Sequence, residues 1–365
     1  MRPLYIVGTQ RDAGKTTMSI GLANALRQRG LKVGYLKPLG QRVTSAGGVP
    51  FHDDARVVSR ALGIDLAESA ELTVPLVSGR VEKELEDPHP AEMLQKVAAA
   101  ARKVQTACDA LIVEAMGGVA QGACLATSAP EIANALGAKV MIVSGGGIGK
   151  ALDEIALCAT YMTARGSELT GVVVNKVWPD KYDRIKSGTE KGLAHMHLAH
   201  LGAVPYQPIL ASPTVRQVAD QLEAEVLCNE QFLGNRIRST IVAAMEPDHM
   251  VGYLKNSALV ITPGDRIDNI LAVISTHLLA SAEAPAAISG LLLTGGFRPE
   301  GKIMELLAGS HLPALLCRAD TYTMAGTLRE LVFKITPDDR ERIEAAKSLV
   351  ERYVHVDRLI EMLKD

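Results

Sequence analysis

The sequence has few features of an extracellular, membrane-bound or nucleic-acid-binding protein. Its five cysteines form no Cys-x-x-Cys pair and are odd in number, so neither a zinc ribbon nor a disulfide framework is indicated. No apolar run approaches the roughly 18–20 residues of a membrane span, and the apolar run at 4–7 is too short for a secretory signal. The net charge of −2 gives no global attraction to nucleic acid. We therefore expect a cytoplasmic protein that binds neither membrane nor nucleic acid.

What is present is an ordinary globular composition in a chain long enough for two domains. Of the 365 residues, 47% are hydrophobic and 22% are charged. A Pro-containing loop near residues 208–213 marks a boundary, which predicts a first domain at 1–212 and a second at 213–336. An amphipathic helix in the remaining segment, 337–365, is expected to pack on the second domain or on a partner subunit.

Short apolar runs alternate with amphipathic stretches along the first domain. Strands are predicted at 4–7, 33–37, 110–114, 139–143 and 170–175. Helices are predicted between them at 16–29, 54–62, 91–106, 131–136 and 152–163. Strands separated by helices of this length pair in parallel, so the pattern predicts an α/β fold with helices on both faces of a parallel sheet. Three further strand-turn-helix repeats, with strands at 258–262, 288–294 and 314–317, predict a smaller second α/β domain.

The segment between the first strand and the first helix has the features of a phosphate-binding loop. Residues 8–17 read Gly-Thr-Gln-Arg-Asp-Ala-Gly-Lys-Thr-Thr. Backbone N–H groups around Gly14 can cradle phosphates, Lys15 can reach the β- and γ-phosphates, and the Thr16 hydroxyl can ligate Mg²⁺. The motif predicts a P-loop NTPase-type domain that binds ATP and Mg²⁺. Its predicted nucleotide-binding residues are Gly8, Thr9, Gly14, Lys15, Thr16 and Thr17.

Three charged residues are predicted to face this loop from the same edge of the sheet. Glu114 ends a buried strand before two glycines, and with Asp54 and Thr16 it could hold Mg²⁺. Lys37 ends the second strand and is predicted, with Lys15, to act in catalysis. The alternatives are that Glu114 caps a loop, that Lys37 is a surface lysine and that Asp54 caps a helix.

Asn175 ends another predicted strand at this edge. Its amide has the donor and the acceptor that reading a purine edge requires, so it is a candidate contact for the nucleotide base. A role in stabilising the turn after the strand is the equally weighted alternative.

Over about residues 1–210 these motifs resemble the dethiobiotin synthetase family. In that family Gly-Thr, four variable residues and Gly-Lys-Thr form the phosphate loop, which accounts for Thr9 standing where a glycine is expected. The resemblance implies that Lys37 lies near the substrate, that Asp54 and Glu114 bind metal and that Asn175 contacts the base. Two family stretches differ here: Lys-Pro-Leu-Gly-Gln runs from 37 to 41, and Val-Glu-Ala-Met-Gly-Gly from 113 to 118. Both changes fall on the substrate side, so nucleotide binding is expected to carry over and diamine recognition is not.

The second domain resembles the DRTGG domain through two short motifs. They are Asp265-Arg266 and Thr294-Gly295-Gly296, which are predicted to form a ligand site or an interface. A helix cap by Asp265 and an ion pair of Arg266 across an interface are the alternatives. The order of the two domains is similar to the amino-terminal, regulatory part of long bacterial phosphate acetyltransferases, and we expect the acetyl-transferring domain to be missing here.

Two functions are compatible with this pattern. One is a regulatory protein that binds Mg-ATP, senses an unidentified small molecule through its DRTGG domain and forms a homo-oligomer. The other is an ATP-dependent ligase of the dethiobiotin-synthetase or cobyrinic-acid-amidating type, acting on a small carboxylate or amine. Whether ATP is hydrolysed stays open at this point.

Overall fold

The computed structural model describes residues 1–40, 43–46, 49–63, 74–75, 78–280 and 287–364. The chain divides into two compact units. The first unit contains Met1–Gln207 together with the C-terminal segment from Ile335, and the second is Pro208–Lys334. Gln41, where the sequence departs from the dethiobiotin synthetase pattern, lies outside the described residues.

The first unit is built on a parallel sheet. Its strands are, in chain order, β1 (Leu4–Gly8), β2 (Val33–Leu36), β3 (Leu39–Gly40), β4 (Val43–Ala46), β5 (Val49–His52), β6 (Val74–Pro75), β7 (Ala110–Gly118), β8 (Lys139–Ser144), β9 (Glu168–Val177) and β10 (His200–Pro205). Six of them form the main sheet in the order β10-β9-β8-β1-β7-β2, and all of its pairings are parallel. The pairs β3–β6 and β4–β5 form two small separate sheets. The predicted parallel sheet is therefore confirmed.

Helices connect these strands. They are α1 (Lys15–Gln28), α2 (Asp53–Leu62), α3 (Ser78–Glu86), α4 (Pro90–Gln105), α5 (Ala129–Leu136), α6 (Gly149–Thr163) and α7 (Tyr182–His195). Every residue of β1 is buried, so the strand is covered on both faces. Because parallel strands all end at one edge, the segments after β1, β2, β7 and β9 meet there.

The second unit carries a five-stranded sheet of its own. Its strands are β11 (Glu225–Cys228), β12 (Ser239–Val242), β13 (Ala258–Pro263), β14 (Gly290–Thr294) and β15 (Ala314–Leu316). Its helices are α8 (Pro208–Ala211), α9 (Val215–Leu222), α10 (Pro247–Val251), α11 (Ile267–Leu278), α12 (Lys302–Gly309) and α13 (Thr321–Glu330). The order is β11-β15-β14-β13-β12, with β11 antiparallel and the other pairings parallel. Two apolar clusters form its core.

The C-terminal segment belongs to the first unit, which corrects the prediction that it packs on the second domain. Its packing on a partner subunit stays a prediction. Its first helix, α14 (Arg340–Tyr353), lies against α1 so closely that a Cβ at Gly21 would lie 2.2 Å from Cγ2 of Val350. Arg29 at the end of α1 pairs with Glu351 in α14. An amphipathic stripe shows that a helix is covered but not by which surface, and here the small residue on α1 provides that surface.

The same segment is two helices rather than the single predicted one. The chain leaves helical geometry at Val354, which forms an antiparallel bridge with Gly202 of β10, and α15 (Val356–Lys364) follows. The His355 amide donates to the carbonyl oxygen of Leu201 at 2.8 Å. These edge contacts to the first sheet interrupt the helix.

Candidate functional site

The loop between β1 and α1 depends on a glycine in left-handed geometry. Gly14 has φ +108°, and a Cβ there would lie 2.0 Å from Nδ2 of Asn175. Helix α1 begins at the next residue, and no side chain caps its first turn. Its first amide groups therefore point toward the loop without an intrahelical partner, as a phosphate cradle requires.

Lys15 is buried beneath this loop. Its Nζ donates a hydrogen bond of 2.8 Å to the carbonyl oxygen of Gly117 at the end of β7. Burial, and then the neighbouring ammonium of Lys37, lower the pKa of Lys15 to about 8. The main chain of β7 thus holds a lysine whose charge is only partly offset by its surroundings.

Glu114 is the centre of a buried hydrogen-bond network. Its Oε1 accepts from Thr16 Oγ1 at 2.8 Å and from Lys37 Nζ at 2.8 Å. Its Oε2 accepts from Ser19 Oγ at 2.9 Å and from Tyr35 OH at 3.1 Å. Burial alone would raise the pKa of this carboxyl, but the Lys37 ammonium outweighs burial and the pKa is lowered. Glu114 is thus an ionised carboxylate joined to the P-loop helix, and not a loop cap.

Lys37 joins this carboxylate to a second one. Its Nζ lies 2.8 Å from Asp54 Oδ2, 2.8 Å from Glu114 Oε1 and 3.4 Å from the carbonyl oxygen of Ala115. Although burial lowers the pKa of Lys37, the two carboxylates outweigh it and the pKa is raised. Lys37 is buried, so the alternative of a surface lysine is wrong. Asp54, in the first turn of α2, is also buried and forms this ion pair.

The chemistry of these oxygen atoms fits a magnesium ion. The Thr16 hydroxyl and the carboxylates of Asp54 and Glu114 belong to the donor types that Mg²⁺ takes in proteins. Among the described residues, no group of three or more His, Cys, Asp and Glu side chains is placed to hold a metal. The hydroxyl and the phosphates of a bound nucleotide would therefore have to complete such a site.

The side chain of Asn175 is hydrogen-bonded to the loop between β1 and α1. Its Nδ2 donates to the carbonyl oxygen of Ala13 at 2.9 Å, and the side chain is buried. The next residue, Lys176, donates from Nζ to the carbonyl oxygen of Asp12 at 2.7 Å. The structure thus gives Asn175 a role at the turn, and its contact with a nucleotide base stays a prediction.

Three other loop residues that were predicted for the nucleotide site lie outside the Glu114 hydrogen-bond network. Thr9 Oγ1 donates to Glu154 of α6 at 3.5 Å, and Thr17 is partly exposed in the first turn of α1. A Cβ at Gly8 would lie 2.8 Å from the carbonyl oxygen of Gln10 and 3.0 Å from Lys15 Nζ. Gly8 therefore leaves room for the buried lysine.

Two residues of the Glu114 network were not predicted from the sequence. Ser19 lies one helical turn after Lys15 on α1, and its hydroxyl donates to the Lys15 carbonyl oxygen as well as to Glu114. Tyr35 lies two residues before Lys37, on the strand that pairs with β7. These spacings, of four in a helix and two in a strand, could have identified both residues.

The DRTGG motifs meet at the carboxyl edge of the second sheet. Thr294, at the end of β14, is buried and its hydroxyl lies 2.6 Å from the hydroxyl of Thr321. Gly295 and Gly296 follow with φ +79° and +73°, a geometry that favours glycine. Their amides donate to the carbonyl oxygens of Ala319 and Cys317 at 2.8 and 3.0 Å. The motif therefore ties the loop after β14 to the loop after β15.

The turn after β13 joins the same set of loops. A Cβ at Gly264 would lie 1.7 Å from the carbonyl oxygen of Phe297. Arg266 forms a bidentate pair with Asp268, with distances of 2.9 and 2.8 Å, at the start of α11. The two residues are only two positions apart in the sequence, so this ion pair of Arg266 is local and does not cross an interface. Asp265 is exposed, and no side chain caps α11 at its N-cap position, Arg266.

Family models match both units. A model described as an AAA domain matches residues 2–214, which is more than half of the chain. The chain belongs to the AAA domain family. A second model, described as a DRTGG domain, matches residues 217–331. The predicted order, a P-loop domain followed by a DRTGG domain as in the amino-terminal part of phosphate acetyltransferases, is confirmed.

Relatives of this AAA domain protein include long enzymes. Phosphate acetyltransferase of Pseudomonas putida is 32% identical over 371 aligned positions, covering 97% of this chain and 51% of the relative. The chain thus spans about half the length of the curated relatives it matches.

Two solved structures are also similar to it. The CBS and DRTGG domains of the regulatory region of Clostridium perfringens pyrophosphatase, complexed with the activator diadenosine tetraphosphate, are 20% identical with a TM-score of 0.27, covering 40% of this chain and 62% of that one. The septum site-determining protein MinD of Pyrococcus horikoshii, complexed with Mg-ADP, is 16% identical with a TM-score of 0.36, covering 57% and 83%. No helix in the described part of the chain is long and apolar enough to span a bilayer.

Proposed function

We propose that the first unit binds Mg-ATP and that the protein is regulatory, with the nucleotide in the first unit and a second ligand sensed by the DRTGG domain. The observation that supports the nucleotide site is the convergence of five residues at one sheet edge. They are Lys15, Thr16, Lys37, Asp54 and Glu114. The family match adds that the loop belongs to a P-loop domain.

In this proposal each residue has a defined task. The amides after Gly14 and the ammonium of Lys15 bind the phosphates. Thr16, Asp54 and Glu114 would hold the magnesium ion, which neutralises phosphate charge when it is bound. Ser19 and Tyr35 orient Glu114 by donating to its second oxygen.

Isothermal titration calorimetry with a panel of nucleotides, with and without Mg²⁺, tests the site. Lys15→Ala should abolish ATP binding because the phosphates lose the buried ammonium. Lys96→Ala is a matched control, since Lys96 is an exposed lysine of α4 that pairs with Glu92. Unchanged ATP affinity in Lys15→Ala, with circular dichroism showing an intact fold, would contradict the assignment.

The second unit is proposed to bind its ligand, or an interface partner, at the five DRTGG residues. They are Asp265, Arg266, Thr294, Gly295 and Gly296. Thr294→Val should alter assembly, measured by light scattering, or the affinity for a co-purifying small molecule identified by mass spectrometry. ATP affinity should stay unchanged. A variant that alters neither would remove the regulatory role of this unit. The homo-oligomer and the cytoplasmic location also stay predictions.

An ATP-dependent ligase is the second candidate. The buried Lys37 favours it, because an ammonium beside the phosphate loop can stabilise the charge of a transferring phosphoryl group. Steady phosphate release that requires an added small acid or amine would favour the ligase, whereas nucleotide binding without turnover would favour the regulator.

A further inference from the structure

Lys37 occupies the position between two buried carboxylates. Its Nζ is 2.8 Å from an oxygen of Asp54 and 2.8 Å from an oxygen of Glu114. Two carboxylates this close to one point repel each other, and burial removes the water that would screen them. Both can stay ionised only when a cation lies between them, and in the ligand-free chain that cation is the lysine.

We propose that Lys37 is the resident cation of the Asp54–Glu114 pair and that a metal-nucleotide displaces it, so that the lysine excludes divalent metal until a nucleotide arrives. This inference rests on the proposed Mg-nucleotide site. It assigns Lys37 a task in the ligand-free protein that is separate from any contact with phosphate or substrate.

The charge balance explains why metal alone would be excluded. The set of Lys15, Lys37, Asp54 and Glu114 carries two positive and two negative charges, so it is already neutral. A divalent cation without a counter-ion would leave two uncompensated positive charges in a buried site. A nucleotide brings its own phosphate charges, and these can offset both the metal and the displaced ammonium.

The hydrogen bonds at Glu114 also indicate that a metal must displace Lys37. Oε1, the oxygen that faces both Thr16 and Lys37, already accepts from each of them at 2.8 Å. A metal that takes this oxygen must replace at least the contact with Lys37. The Thr16 hydroxyl can remain, because its oxygen can ligate the metal through a lone pair while its O–H still donates a hydrogen bond to the carboxylate.

Manganese binding without nucleotide tests the exchange directly. In the full chain we expect Lys37→Met to bind Mn²⁺ at least about tenfold more tightly than the unsubstituted protein, as measured by electron paramagnetic resonance. Mg²⁺ alone should then raise the melting temperature of Lys37→Met and leave that of the unsubstituted protein unchanged. Lys37→Arg keeps the charge and should exclude the metal, and Lys96→Met controls for loss of any lysine.

A second variant covers the case in which Lys37→Met does not fold without metal. Lys37→Met combined with Glu114→Gln has only one carboxylate left and should fold in metal-free buffer. If Lys37→Met folds only when Mg²⁺ is present, the exchange is supported. If Lys37→Met stays unfolded with Mg²⁺ while the double variant folds, or if it folds with unchanged Mn²⁺ affinity, the exchange is overturned.

The two proposals fail in different ways. Absence of ATP binding by the unsubstituted protein would overturn the nucleotide site. Intact ATP binding together with unchanged Mn²⁺ affinity in Lys37→Met would overturn only the exchange.

Discussion

In both units the parallel strands of the sheet end at one edge, but the residues at the two edges differ in charge and burial. In the first unit Lys15, Lys37, Asp54 and Glu114 are 7%, 4%, 5% and 1% exposed. In the described part of the second unit no Asp, Glu, Lys or Arg is buried. Its ion pair of Arg266 and Asp268 is 34% and 46% exposed. The carboxyl edge of parallel strands thus carries a buried charged site in one unit and a hydroxyl and glycine framework in the other.

The difference in buried charge indicates which of the two edges is built to bind a charged ligand. Buried charges destabilise a fold unless they neutralise one another, so their concentration at one edge indicates a place built for a charged ligand. At the other edge the loops are joined by main-chain amides and by close backbone contacts at glycine. That edge is therefore a backbone framework, and its described part lacks the buried charges of the first edge.

The largest expected effect is on the stability of the first unit. Glu114→Gln removes a charge that faces the buried ammonium of Lys37, so we expect the free energy of unfolding to fall by about 3–5 kcal/mol. Urea unfolding followed by circular dichroism measures it. Asp268→Asn is the matched change in the second unit and should leave the midpoint unchanged, because that pair is exposed. Equal effects of the two substitutions would remove the contrast between the edges.

A smaller effect is expected from a methyl group in the second unit. Gly264→Ala places a Cβ where the Phe297 carbonyl oxygen lies, and the two loops must separate, so we expect a loss of about 1–3 kcal/mol. Gly309→Ala is the control, because a Cβ there meets no atom within 4 Å. Calorimetry should show the loss in Gly264→Ala with ATP affinity unchanged. A loss of ATP affinity would mean that the two edges are coupled.

The pH dependence of nucleotide binding should report the titration of Lys15 at the edge of the first sheet. Phosphate binds the charged form of Lys15, whose pKa is about 8, so ATP affinity should be full below pH 8 and fall as the pH rises through that value. The decrease should approach tenfold for each pH unit. Lys15→Arg should remove the dependence, since a guanidinium stays protonated. Calorimetric titrations across this pH range measure it, and a flat profile in the unsubstituted protein would contradict a buried Lys15 with a lowered pKa.

The sequence was sufficient where a local pattern determined the structure. Uniformly apolar runs identified the central strands, and Gly14 before Lys15 identified the start of α1. Because parallel strands end together, the placement of Lys37 and Glu114 at one edge also followed. The strands β11 and β12 lack such a run, and their side chains are mostly half-buried or exposed. No apolar pattern therefore predicted these two strands.

Contacts between distant segments could not be predicted in this way. The burial of Lys37 requires Asp54 and Glu114 to approach from separate elements, and the sequence alone allowed a surface lysine. The role of Asn175 depends on how closely β9 approaches Gly14. The surface covered by α14 likewise depends on Gly21, which lies more than 300 positions earlier in the chain.

The return of the chain to its first unit has a practical consequence. The N-terminal unit is not a contiguous stretch, because its sheet and its P-loop helix are completed by α14 and α15 after the whole second unit has been synthesised. A gene fragment that stops at Gln207 would expose the apolar side of α1 that Val350 covers. Excising the second unit and splicing Gln207 to Ile335 through a flexible linker is the sounder way to obtain the first unit alone.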